Sequence, residues 1–227
     1  MRKATTGLFL GLFAFTLSSG SLLATVLPPT GLASGSQYQL AFLTLDGISQ
    51  SSSNIADYNS FVTTQAASMI SLFPGVTWHA IASTASVNAK DNAPNTTLPV
   101  YNTHGEVIVP AGVGLYSISS GSPTPSLTNT IHFDQFGNDN SGVPAWTGSS
   151  SAGFKLSGHA LGSGSTGMGH TGAKDYLWLQ LGQFSAIGNQ PLYALSTPIT
   201  FVPEPSTLAL AAFGFIGLAA WAWRRKR

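Results

Sequence analysis

The chain has 227 residues, which allows one domain plus targeting segments at roughly 100–200 residues per domain. Only 7% of residues are charged, and six of the nine basic ones crowd the two ends; between residues 25 and 202, Lys90, Lys155 and Lys174 face Asp46, Asp57, Asp91, Glu106, Asp134, Asp139 and Asp175, a net charge of −4 that excludes nucleic acid as a partner. There is no cysteine, so disulfides, thiolate nucleophiles and cysteine metal sites are excluded as well.

At the start, Arg2 and Lys3 precede an apolar stretch over 7–17, then Ser18, Ser19, Gly20 and Ser21, then Leu22, Leu23 and Ala24. This order reads as a secretory signal peptide spanning 1–24, with a signal helix in its apolar part. Cleavage is placed after Ala24; Leu22 sits where a small residue is preferred, so cuts after Gly20 or Ser21 compete. An uncleaved anchor is disfavoured because the apolar run is shorter than the roughly 20 residues a bilayer span needs. Residues 25–36 read as a linker and 37–200 as an exported globular domain.

Within that domain the run 37–45 suits a buried strand, and Asp46-Gly47 offers a turn. Ile55, Tyr58, Phe61, Val62, Ala66, Met69, Ile70 and Phe73 recur at three- and four-residue spacing, which predicts one amphipathic helix. Asn54 caps it, Asp57 favours its positive end, and Pro74-Gly75 stops it. A strand over 76–83 follows, then a turn-dense region with short strand candidates at 98–102, 106–109 and 130–133. Further strands are expected at 176–181 and 192–195. One early helix followed by short strands on long loops predicts an α+β fold.

The order of Phe42-Leu43-Thr44, the 54–67 helix, Thr77-Trp78-His79-Ala80, the 99–105 segment, Ala145-Trp146-Thr147-Gly148, Leu177-Trp178 and Pro191-Leu192-Tyr193-Ala194 resembles C-type-lectin-like domains of the endostatin kind. The disulfide cysteines of that family are absent, as are its Glu-Pro-Asn, Gln-Pro-Asp and Trp-Asn-Asp calcium and sugar motifs. The resemblance implies a fold, not calcium-dependent sugar binding.

No constellation within the domain rises to catalysis. The 162–167 segment, Gly-Ser-Gly-Ser-Thr-Gly, fits G-x-G-x-x-G, but no apolar helix follows it, so it reads as a flexible loop. His79, His104, His132, His159 and His170 lack the spacing that would specify a metal site. Asp134, Asn138, Asp139 and Asn140 could offer oxygens to calcium, yet the full twelve-residue loop is missing and a polar turn fits better. Trp146 and Trp178 could stack on sugars, against the commoner outcome of burial. No catalytic residue, metal ligand or cofactor is assigned.

The chain closes with Val202, Pro203, Glu204, Pro205, Ser206 and Thr207, an uncharged apolar segment over 208–223, and Arg224, Arg225, Lys226 and Arg227. The prolines fix φ and keep the strip over 201–207 extended and open to an enzyme. The apolar segment is long enough for a transmembrane helix across a thin bilayer, with Trp221 and Trp223 at an interface and the basic tail over 224–227 cytoplasmic. Charge at both ends of the precursor thus points to one topology. These three parts closely resemble the PEP-CTERM sorting signal of Gram-negative bacteria that also make exopolysaccharide. That resemblance implies processing by an exosortase, a membrane-embedded cysteine transpeptidase-like enzyme. It also implies export across the inner membrane as a membrane-anchored precursor, bound for the cell surface or extracellular matrix. The expected function is a non-catalytic surface or matrix protein. The alternative is a carbohydrate-binding module acting on exopolysaccharide, and a hydrolase would need a His cluster with Ser or Asp.

Overall fold

The computed structural model describes residues 26–95, 97–117, 127–185 and 188–202, together with 216, 223 and 224. The expected signal peptide with Ala24, the transmembrane segment other than Ile216 and Trp223, and the strip residues after Val202 lie outside the described residues.

The centre of the molecule is β1, Gln37–Leu43, whose residues from Tyr38 onward are all buried. Its alternation has a direct packing consequence. Tyr38, Leu40 and Phe42 enter one hydrophobic cluster, whereas Ala41 and Leu43 enter a second. Being covered on both faces, β1 reads as a near-continuous apolar run rather than a polar–apolar alternation.

The helix α1, Ile55–Gln65, lies on the first face and buries Tyr58 and Val62. Each such side chain contributes roughly 1.5–3 kcal/mol by leaving water. Asn54 caps α1 as its sequence position predicts, the side-chain Oδ1 accepting from the Ala56 amide at 3.1 Å. The helix stops earlier than the Pro74-Gly75 signal suggested, passing at once into a 3₁₀ turn over Ala66–Met69. A 3₁₀ turn advances three residues per turn instead of 3.6, so the apolar stripe loses phase. Ala66 and Met69 stay buried, but Ile70, expected on the core stripe, is 54% exposed.

The main sheet is completed by β2, Trp78–Ala80, β3, Val100–Tyr101, β4, Val107–Val109, β8, Tyr193–Ser196, and β9, Ile199–Thr200. Its order is β2-β8-β1-β3-β4, with β9 pairing the start of β1. Phe42 faces Ala194 and Tyr38 faces Ile199 across antiparallel ladders, while Gln39 faces Val100 in a parallel one. A second sheet has three antiparallel strands, β5, Pro144–Trp146, β6, Ser165–His170, and β7, Gly182–Ser185. A short helix α2, Ala89–Asn92, sits between β2 and β3. The architecture is mixed α+β, as expected.

Three local expectations are corrected. The supposed flexible Gly/Ser loop runs directly into β6, the middle strand of the second sheet, from Ser165 onward. Its glycines are there for space: a Cβ on Gly169 would overlap the Trp178 carbonyl. The expected strand at 176–181 is instead a 3₁₀ turn over Tyr176–Trp178, nucleated by Asp175, whose carboxylate accepts from the Leu177 amide at 3.1 Å. Asp at such a cap competes effectively with extended structure. The segment 130–133 forms no strand: Phe133 makes a single bridge with Asp139, and the next residue, Asp134, one with Leu43.

Candidate functional site

Both ends of the folded domain come together. The Leu27 amide donates to the Thr103 carbonyl at 2.9 Å, and Pro28 passes so close to Gly105 that a Cβ there would meet the Pro28 carbonyl at 2.6 Å. At the other end, β9 pairs with the start of β1, and the Phe201 amide donates to the Ser36 carbonyl at 2.8 Å. The Phe201 ring meets Tyr38 edge-on at 6.4 Å. Val26 and Val202 consequently line one cleft of about 790 Å³, walled by Leu72, Phe73, Pro74 and Val76 from the segment after α1.

Among the described residues, none that lines this cleft is charged. The charge-free wall follows from the sequence: Lys3 to Asp46, Asp57 to Lys90, and Asp175 to Glu204 are long intervals without a formal charge, and each contributes wall residues. Of the lining residues, Leu72 and Val202 are nevertheless 54% and 75% exposed. Sequence reasoning did not single out these residues as a site; the long charge-free intervals are the signal that could have found them.

Among the expected tail residues, Val202 is described and stands at the cleft mouth, and Arg224 is described as helical and exposed. Pro203, Glu204, Pro205, Ser206, Arg225, Lys226 and Arg227 lie outside the described residues. Among the described residues, no helix is long and apolar enough to cross a membrane.

The five histidines do not converge. His104 stacks on Phe133 at a centroid distance of 3.8 Å, His132 lies tilted against the same ring at 3.9 Å, and the His104 Nε2 pairs with the Gly137 carbonyl oxygen at 2.8 Å. His79 lies apart on β2, where burial pushes its pKa down. Among the described residues, no group of three His, Asp or Glu side chains is placed to hold a metal ion.

Asp134 is fully buried, and its carboxylate is committed within its own turn. Oδ1 accepts from the Phe136 and Asn138 amides at 2.8 and 2.9 Å, and Oδ2 from the Asn138 and Asn140 side-chain amides at 2.9 and 3.4 Å. Asn138 and Asn140 therefore direct NH₂ groups, not oxygens, at the carboxylate. Asp139 points outward: hydrogen bonds from the Ser141 amide and hydroxyl, with His132 and His104 nearby, hold its carboxyl below the usual range. Trp146 and Trp178, weighed as a sugar platform, are 0% and 1% exposed and belong to the core.

With this geometry in place, the tail acquires a class. Residues 201–226 match the PEP-CTERM protein-sorting motif, so the cleft, closed on one side by β9, lies directly at the entrance to a sorting signal. The motif supports an exosortase substrate and implies export as a membrane-anchored precursor at the cell envelope. No curated protein matches the chain.

Proposed function

We propose that the protein is a non-catalytic surface or extracellular-matrix component. Its exported α+β domain is held at the membrane by a spanning helix over 208–223 and a cytoplasmic lock of Arg224, Arg225, Lys226 and Arg227, until an exosortase acts at Val202-Pro203-Glu204-Pro205-Ser206. The observation that carries this reading is the abutment of the sorting motif on β9, the last strand of the domain. Folded domain and processing strip are adjacent in the chain, and the domain's first residues emerge at the same cleft, which suits a chain threaded across a membrane at both ends. Glu204→Ala tests it. Export should persist while uncut, membrane-held precursor accumulates. Mass analysis that finds a mature chain still ending at Arg227, in a host with an active exosortase, would remove the processing step.

A second reading, a lectin-like module retained by exopolysaccharide, is favoured by one observation. Tyr176, Leu181 and Phe184 expose apolar surface within ten residues of chain, at 37%, 36% and 39%. Exposed rings of this kind stack on sugar faces. Retention on purified exopolysaccharide that Phe184→Ala leaves unchanged would argue against it.

A further inference from the structure

We propose that the charge-free cleft at the tail junction is a docking surface for the lipid bilayer, seating the domain on the same membrane that holds its tail. The inference rests on the reading of 208–223 as a membrane anchor and goes beyond it, since an anchored domain could equally stand clear of the surface on its strip.

Three observations favour seating. The first is reach: Val202 lines the cleft, and Leu208 begins the apolar segment six residues later. At 3.3–3.6 Å per residue, those six residues span at most about 20 Å, so the cleft cannot stand further than that from the point where the chain enters the membrane. A tether this short gives a surface contact a high effective concentration, and weak apolar contact suffices.

The second is chemistry. Leu72 and Val202 are exposed beside a wall of Pro28, Phe73, Pro74 and Val76, so the apolar side chains at this end of the domain are grouped rather than scattered. Apolar side chains lying in the interface plane gain by entering the headgroup–acyl boundary. The third is the absence of charge from the described residues of the lining. Without Lys or Arg there, attraction to anionic headgroups is not the driving term. Binding should depend on apolar burial and be insensitive to salt.

The chain has no cysteine, so single-cysteine labelling is clean. The full chain is reconstituted into zwitterionic phospholipid vesicles with an environment-sensitive fluorophore on Leu72→Cys, Thr30→Cys or, as a reference, Ser157→Cys, an exposed position outside the cleft. Both cleft labels should emit to the blue and lose intensity to nitroxide-bearing lipids, alike at low and high salt; the Ser157 label should do neither. Two cleft positions guard against one label disturbing the fold. Flotation of the vesicles reports the anchor separately. A chain that floats while both cleft labels stay aqueous overturns the docking and leaves the anchor standing. A chain that does not float overturns the anchor reading and the docking with it. Lipid contact abolished by salt, or seen only after exosortase is added, assigns the surface to headgroup charge or to a protein partner and overturns the proposal.

Discussion

Asp134 offers the sharpest test of how the turn beside His104 and His132 is built. Asp134→Ala deletes an acceptor of four hydrogen bonds and strands the Phe136 and Asn138 amides in a turn whose central side chain is completely buried. Bonds to a charged acceptor contribute about 1.5–3 kcal/mol each but are not additive within one network, and each backbone amide left without its acceptor costs about 1–3 kcal/mol, so the alanine variant should lose about 3–5 kcal/mol in all. Asp134→Asn keeps an oxygen for the two backbone amides but turns an NH₂ toward the Asn138 and Asn140 donors, so it should lose about 1–3 kcal/mol. For a domain of this size, where 1 kcal/mol shifts Tm by about 2–4 °C, the alanine variant should melt roughly 6–20 °C lower. Thermal unfolding read by circular dichroism measures both, with calcium titrated against each. A loss below about 0.5 kcal/mol for alanine would refute the argument, because that is the range of surface substitutions. So would a wild-type Tm that climbs with calcium while that of Asp134→Ala does not, since the carboxylate would then be serving a cation.

Gly169→Ala should cost about 3 kcal/mol or more, beyond ordinary overpacking, because its Cβ meets the Trp178 backbone rather than a side chain that can move; Gly164→Ala, with nothing within 4 Å, is the matched control, and equal Tm values would refute the steric account. Tyr193→Phe should leave stability unchanged or raise it by up to about 1 kcal/mol, since the buried Tyr193 hydroxyl has no hydrogen-bond partner; a clear loss in urea unfolding would reveal a bound water satisfying it. His79 has a folded-state pKa below its unfolded value, so its contribution is complete above about pH 6.5 and declines as pH falls through 6.5 toward the folded value. His79→Gln should therefore flatten the loss of denaturant midpoint between pH 7.5 and 5, and a slope identical to wild type would assign the pH dependence elsewhere.

The parts legible in the sequence are those where one local rule governs. The β1 run, the Asn54 cap and the Tyr58–Val62 face follow from burial and helical period, and their elements lie where those rules place them. Misreadings arose where tertiary contacts overrode composition. Ser165–His170 looks like a loop because it is rich in glycine, yet Gly167 and Gly169 are small so that Leu156 and the Trp178 backbone can cross the strand. The 176–181 stretch has strand-forming residues, but one carboxylate at Asp175 was enough to turn it. The tail was legible because its signal lies in the order of three chemically distinct parts, independent of how the domain folds. The cleft was not, because its walls come from three separate segments, and only their shared lack of charge connects them in the sequence.

The strand order bears on when the domain can fold relative to processing. β8 lies between β1 and β2, and β9 pairs the beginning of β1, so the main sheet lacks an interior strand until residues 193–200 are available. Before then the inward side of β1 has no antiparallel partner, and Trp78 and Leu40 have no completed sheet to pack within. An exported chain delivered from its N-terminus therefore completes its core only with its last strand, immediately before the sorting motif that starts at residue 201. Late pairing of distant strands is slow because the long connecting loop must close first. The apolar tail is thus in place while the sheet is still closing, and it keeps an incompletely paired, aggregation-prone domain at the membrane instead of free in solution. Under the proposed processing, cleavage of a finished domain and retention of an unfinished one are two consequences of a single arrangement: the strand that completes the fold is joined directly to the sorting strip.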